Sequence, residues 1–468
     1  QLLGVLMKIK ILASMLAGAL AMLPVTANAG WGGGGVGPYG DPITIYGWQN
    51  HTFEMTESGA EGSQVDSTSI NGNAGNIGFL GFVDTGIEGL KVTWRCETFT
   101  YMNDYAGTGG WCNRNSKVGI SGSMGEVMYA NWLLPYNEMV AGWVDPWYDA
   151  GNASHTNVMG SVGAYTIFYN LGDFGSQTFT SYSAYSGLYN QGFNRRQEEI
   201  LQYMGSTGKL SYRAAITADF QSDNTDARNG AKQDPYIVSM GVAYTDGPFW
   251  GAVTYQKHES WAATTLHGAG SAESTTTDSN GDTTTTAAVS GKSLMDDSDA
   301  ESYRIAGRYI ADLGNGASLT LSAMFENVEY NFENTTTPGA ALASFGYSDT
   351  VFAGGTANTN VSFDRDAFLV SGKYAPGGNF DFRFMYAEAD DLDVTAAGLT
   401  TDKSSQTGAD TTLIGMFYAL GDSTELNVSY IEVSNDDFGS YGTGIGGVGL
   451  GTTNNQVEII QFGILTMF

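Results

Sequence analysis

Gln456-Val-Glu-Ile-Ile-Gln-Phe-Gly-Ile-Leu-Thr-Met-Phe468 ends the chain, and its alternation decides the fold. Counting back in twos from Phe468 puts Ile464, Phe462 and Ile460 on one face of a strand. Side chains on a strand alternate between faces, so the segment turns a continuous apolar face to a non-aqueous neighbour. The pattern recurs upstream. Leu210, Tyr212, Ala214, Ile216, Ala218 and Phe220 alternate with Lys209, Ser211, Arg213, Thr217 and Asp219. Phe380, Phe382, Phe384 and Tyr386 alternate with Asp381, Arg383 and Met385, and Tyr303, Ile305 and Tyr309 with Arg304 and Arg308. Alternation over about ten residues per segment fits a strand crossing a bilayer, although a soluble β-sandwich alternates too.

The connections between these segments are of two lengths. Short turns fall at residues 85–89, 123–125, 171–175, 205–208, 246–248, 312–316, 376–379 and 421–423, and long polar stretches such as 259–300 and 331–362 lie between them. Eight turns with a first and a last strand make about 18 strands, or 16 if one turn is misplaced, a size that leaves an aqueous channel. The predicted fold is therefore all-β: a transmembrane antiparallel β-barrel of about 16–18 strands with short periplasmic turns and long external loops. The loop at 271–290 is rich in Thr, Ser and Asp and reads as solvated.

Composition supports an exported membrane protein. Charged residues make up 15% of the chain against about 25% in a soluble domain, while Gly (64) and Tyr (26) abound. No stretch beyond residue 29 is long and apolar enough for a membrane helix, and a closed barrel is the β-structure that lipid accepts. At the other end, Met7 reads as the true start, followed by Lys8 and Lys10, an apolar run over 11–23, and Ala27-Asn28-Ala29 as a signal-peptidase site. Residues 1–29 are thus expected to be upstream sequence plus signal peptide, 30–41 a Gly-rich leader, and 42–468 the barrel. Removing the two lysines takes the net charge from −29 to −31. Such an acidic chain is unsuited to nucleic acid, which is bound by Lys and Arg.

Three blocks resemble the general diffusion porins of Gram-negative bacteria, in addition to the terminal aromatic, which resembles the closing-strand signal of outer-membrane barrels. Asn76-Ile-Gly-Phe-Leu-Gly-Phe-Val-Asp-Thr-Gly-Ile-Glu-Gly-Leu-Lys-Val-Thr-Trp94 resembles the second and third strands, and Asn113-Arg-Asn-Ser-Lys-Val-Gly-Ile-Ser-Gly-Ser-Met-Gly125 the fourth. Leu413-Ile-Gly-Met-Phe-Tyr-Ala-Leu-Gly-Asp-Ser-Thr-Glu-Leu-Asn-Val-Ser-Tyr430 resembles the closing hairpin. The first 160 residues match best. The resemblance implies an outer-membrane location, a homotrimer, insertion by the barrel assembly machinery through Phe468, and a third loop folded into the lumen. That loop would begin at Pro135, after a fifth strand over 126–134, and run to about Val158. Its acids are Glu138, Asp145 and Asp149, which in the family face basic residues on the wall; Arg114 matches one of these. At three other matching sites this chain carries Asn76, Ala130-Asn131 and Trp48, so its wall is less basic than usual.

Alternation supplies further lumen-side bases: Arg95, Arg213, Arg304, Arg308 and Arg383. For each, the alternative is an arginine paired with a neighbouring acid away from the constriction. Fixed charges in a narrow polar passage select ions by sign and exclude bulk by diameter. The expected function is passive diffusion of small hydrophilic solutes and ions with cation preference. Two other readings remain. One is a substrate-selective uptake channel with Trp48, Trp132, Trp143 and Trp147 as an aromatic track; the other is a plugged adhesin barrel. Cys96 and Cys112 favour a disulfide in an oxidising envelope, as a local loop staple.

No enzyme motif stands out. His51, His155, His258 and His267 lack a linked nucleophile, and the Gly-rich run 444–449 lacks the strand-turn-helix context of a dinucleotide site. Asp278-Ser-Asn-Gly-Asp282 lacks the ligand spacing of a calcium loop, and no metal or cofactor is expected.

Overall fold

The computed structural model describes residues 33–36, 42–60, 62–72, 75–100, 110–147, 151–160, 193–194, 196–218, 236–259, 274–277, 283–286, 297–335, 359–396, 406–437, 439, 441–443 and 454–468. The chain begins with β1 (Gly33–Val36), β2 (Pro42–Ala60), β3 (Val65–Gly72), β4 (Asn76–Asp84) and β5 (Lys91–Phe99). Next come β6 (Ser116–Gly122), β7 (Gly125–Leu133) and two short helical turns, α1 (Pro135–Glu138) and α2 (Ala141–Val144). The wall resumes with β8 (Arg196–Thr207), β9 (Leu210–Ala218), β10 (Tyr236–Asp246) and β11 (Phe249–Glu259). A separate hairpin, β12 (Ser274–Thr277) with β13 (Thr283–Thr286), lies inside the Thr-rich stretch. β14 (Asp297–Gly314), β15 (Ala317–Thr335), β16 (Thr359–Ala375), β17 (Phe380–Ala389) and β18 (Asp393–Ala396) follow. The last three are β19 (Ala409–Ala419), β20 (Thr424–Asn435) and β21 (Asn455–Met467).

Every wall pairing is antiparallel between sequence neighbours, and β21 returns to pair with β2, from Trp48↔Met467 to Ala60↔Asn455. β3 and β4 take successive lengths of β2 and so share one position; β17 and β18 do the same along β16. The result is a closed barrel of 16 strands. Seven of the eight expected turns join wall strands. The eighth, at 171–175, lies outside the described residues, and the wall needs no strands from it because β7 pairs directly with β8. Of the expected 16–18 strands the wall therefore has 16, the count that follows when one turn is misplaced. Residues 1–29, Asp149, Asp219, Phe220, His267, 278–282 and 444–449 also lie outside the described residues. Gly33–Val36, within the expected leader, pairs with Pro42–Ile45 at the start of β2.

Closure depends on a glycine. Gly47 and Phe468 exchange backbone hydrogen bonds of 2.9 and 3.0 Å. A Cβ on Gly47 would lie 2.4 Å from the Asn76 carbonyl oxygen and 2.6 Å from the Phe468 ring, so the terminal aromatic packs on bare backbone. Ile460, Phe462, Ile464 and Phe468 are all exposed on the outer face, as their alternation requires. Aromatic pairs mark the two edges of this apolar band: Phe249–Tyr309 and Phe380–Tyr418 near the tight turns, Tyr303–Phe325 and Phe368–Tyr386 at the other end. Such girdles mark bilayer interfaces. Beyond the second girdle the outer face turns acidic. Glu301, Glu329 and Asp364 are consecutive cross-strand partners, as are Glu432, Glu458, Glu57 and Asp66. Like charges directly opposed destabilise a sheet modestly, and water screens them.

Candidate functional site

The segment after β7 turns into the barrel. Leu134, Tyr136, Val140, Ala141, Val144 and Trp147 are buried, packed on inward side chains of the wall. On its way out the segment is fastened to β10 and β11: Tyr136 N–H donates to Ser239 Oγ (2.9 Å), and Thr254 Oγ donates to the Tyr136 carbonyl (3.1 Å). It then passes β15 and β16, where the Ser322 and Ser371 hydroxyls donate to the Trp143 and Val144 carbonyls. Arg383 donates to the Pro146 carbonyl (2.9 Å), and Trp147 Nε1–H reaches Ser429 Oγ (3.0 Å) on β20. The return limb touches β2, where Asn152 donates to Glu54 (2.8 Å), and comes back to β16 and β15 at Val158 and Gly160. Its own brace is Asp145, which accepts from Trp147 and His155 backbone N–H groups and bonds the His155 ring, all at 2.8 Å.

One carboxylate secures both limbs. Glu326 on β15 is fully buried and ion-pairs with Arg304 of β14 and Arg365 of β16. It also accepts from Tyr136 OH (2.8 Å) on the outward limb and Gly160 N–H (2.7 Å) on the return limb. Arg304 further donates to Asn137 (3.0 Å), and Arg365 to the Val158 carbonyl (3.2 Å). A buried charge stripped of water is tolerable only when paired and hydrogen-bonded in this way. The loop therefore closes a charge network that the wall alone leaves incomplete.

A second network stands on β5. Glu97 ion-pairs with Arg95 and with Arg114, and accepts from Tyr46 OH (2.6 Å). Arg95 lies over the Tyr46 and Trp132 rings and is partly exposed, whereas Arg114 is buried against Trp48 and Phe99. Beside it Lys117 pairs with Glu126 (2.5 Å), and Arg213 of β9 pairs with Glu138 of the loop, to which Trp132 also donates (2.9 Å). The Cys96 and Cys112 sulfurs are bonded with Cα atoms 4.6 Å apart, tying β5 to the chain just before Arg114.

The arrangement is a closed barrel with an inward-folded, wall-anchored third loop and opposed charges in its lumen. The chain matches the model of the Gram-negative porin family over residues 16–437. It belongs to that family. As a fold, this porin is similar to the anion-selective porin from Comamonas acidovorans at 16% identity, covering 92% of this chain and all of that one, with a TM-score of 0.58. It is also similar to OmpT, an outer membrane protein of Vibrio cholerae, at 10% identity, 92% and 98% coverage and a TM-score of 0.51. The outer membrane channel DcaP of Acinetobacter baumannii follows at 12%, 93% and 99%, with a TM-score of 0.50. No curated protein matches the chain in sequence. The porin is an outer-membrane β-barrel channel protein.

The structure separates the expected site residues into groups. Arg95, Glu138 and Arg213 are partly exposed; Arg213 pairs with Glu138 at the loop's first turn, and Arg95 lies over Trp132, which donates to Glu138. Arg304 does not face the passage; it is sealed beneath the loop because Glu326 holds it there. Asp145 is likewise buried, spent on bracing the loop. Arg383 pairs with Asp381 (2.7 Å) and Glu425 (3.0 Å) and lies 3.4 Å over the Phe417 ring. Arg308 lies over Trp143. The four tryptophans do not line up as a track: Trp147 is buried against Phe417, and Trp132 is buried under Arg95. Sequence reading missed Glu97, Glu326 and Arg365. Their signal was a charged residue at an inward phase of an alternating strand, as in Met324-Phe-Glu-Asn-Val328.

Proposed function

We propose that the porin conducts small hydrophilic solutes and ions by passive diffusion past a constriction between the anchored loop and the β5–β9 wall. The observation that carries this is the loop's one-sided anchoring. Apart from bonds within the loop itself, such as those of Asp145 and His155, its buried contacts go to the wall, while Gly142 and Trp143 stay exposed and Glu138 partly so. The constriction charges are Arg95, Lys117 and Arg213 against Glu126 and Glu138. Each base is paired, so a passing ion meets largely balanced charges, with the small positive excess of the Glu97 unit, where one acid serves Arg95 and Arg114. A channel of this kind performs no bond chemistry.

Cation preference, in this proposal, is weak and comes from acids at the loop-bearing mouth, such as Asp390, Asp391, Asp436 and Asp437, not from the constriction. The tight turns are periplasmic and the long loops external. The assembly is a homotrimer, as OmpT of Vibrio cholerae has been seen in a trimer form. Residues 1–29 are removed on export, and Phe468 guides assembly. Reversal potentials across a KCl gradient test the selectivity: a small cation-favouring value is expected that shrinks as salt rises. A chloride-favouring value would reject the mouth as the selective element.

A further inference from the structure

Arg308 differs in its partners from the other lumen-side bases. Arg95, Arg114, Lys117, Arg213, Arg304, Arg365, Lys373 and Arg383 each have a carboxylate at ion-pair distance. Among the described residues Arg308 has none, and its Nε is buried without a hydrogen-bond partner. Its guanidinium carbon sits 4.1 Å from the centroid of the Trp143 ring. Trp143 in turn stacks on Trp250, with centroids 5.0 Å apart and planes within 5°. Trp250 is the direct cross-strand neighbour of Arg308, and Ser322, its neighbour on the other side, donates to the Trp143 carbonyl (3.2 Å). Trp143 nevertheless keeps 37% of its surface exposed.

We propose that Trp143, Trp250 and Arg308 form a subsite for planar aromatic carboxylates on the tight-turn side of the constriction. The proposal rests on the channel reading above. Stacking occupies a face of the guanidinium and leaves its in-plane N–H groups, the ones that grip a carboxylate in parallel hydrogen bonds. The exposed part of Trp143 offers a ring surface beside that fork, so one small molecule can meet both. Lys373 and Arg383, facing inward nearby on β16 and β17, are balanced by Asp381 and Glu425, so the charge of Arg308 is the local excess. A solute with a ring and a carboxylate is held through both groups, one with the ring alone through the stack only.

Single-channel recording in KCl with 2-naphthoate, and with neutral 2-naphthamide as its isostere, tests the subsite from each side of the membrane. Naphthoate should block saturably, at a concentration several-fold below naphthamide, and more readily from the tight-turn side. Arg308→Gln should raise the half-blocking concentration of naphthoate about tenfold, the scale of a charge-assisted hydrogen bond, with little change for naphthamide. Arg308→Lys keeps the charge but loses the planar fork, and should fall between; it carries the test if the glutamine variant does not fold. Equal block by acid and amide, or equal naphthoate block in all three proteins, would overturn the subsite alone. A folded wild-type protein that passes no ions would overturn the channel reading and the subsite with it.

Discussion

Glu97 and Glu326 are built alike and used differently. Each is a carboxylate on a wall strand that takes two arginines and a tyrosine hydroxyl: Arg95, Arg114 and Tyr46 for one, Arg304, Arg365 and Tyr136 for the other. The difference lies in where the tyrosine comes from. Tyr46 belongs to the wall, so the Glu97 unit is complete without the loop and leaves Arg95 partly open to the lumen. Tyr136 belongs to the loop, so the Glu326 unit is finished only when the loop lies down on it, and both arginines are then fully buried. Each unit carries one net positive charge. The uncovered one borders the lumen and, in the proposed channel, acts on passing ions; the covered one anchors the inward loop. It also follows that a net charge of −29 says little about the lumen, because much of the acid excess faces outward beyond the girdle.

The contrast breaks most visibly at Glu326. Glu326→Ala leaves Arg304 and Arg365 buried without a counter-charge, a loss of about 3–5 kcal/mol. The loop should come away: single-channel conductance rises, and the folded band on unboiled gels converts at a lower temperature. Unchanged conductance would mean that this loop does not set the narrowest point. A smaller effect is expected at Glu97. Glu97→Gln spares the loop but frees Arg95 and Arg114 from their acid, so the reversal potential should move toward chloride while conductance changes little. An unmoved potential would mean that the Glu97 unit does not act on passing ions.

The smallest effect is at the mouth itself. Partial burial, then the carboxylates of Glu388 and Asp366, holds Asp390 above the ordinary value of 3.8; burial and Asp391, Asp437 and Glu388 do the same for Asp436. A carboxyl raised in the folded state opposes folding when ionised, and that opposition is relieved as pH falls through its raised value. These groups therefore lose charge first on acidification. Cation preference should decline at pH values above 3.8, with no loss of barrel stability over the same interval. A preference flat down to the ordinary carboxylate range would exclude them as its source.

Much of the wall could be read from the sequence. The alternation of Phe380–Tyr386 and of Tyr303–Tyr309 fixed which side chains face lipid, and the tight turns gave the hairpins, because both signals are local. The block at Pro135 located the inward loop. Which acid meets which base was not readable. Glu326 finds Tyr136 and Gly160 across separations of 190 and 166 residues, set by barrel register and by the path of the loop. Alternation could say that Arg304 points inward, but not that a loop would cover it while Arg95 stayed partly open.

Conductance of the purified, folded protein in a planar bilayer bears most directly on the central claim of a water-filled barrel narrowed by a stapled loop. Stepwise openings with an ohmic current–voltage relation are expected, larger in Glu326→Ala than in the wild type. Silence from a heat-modifiable, correctly folded protein would contradict it and leave a plugged barrel in its place.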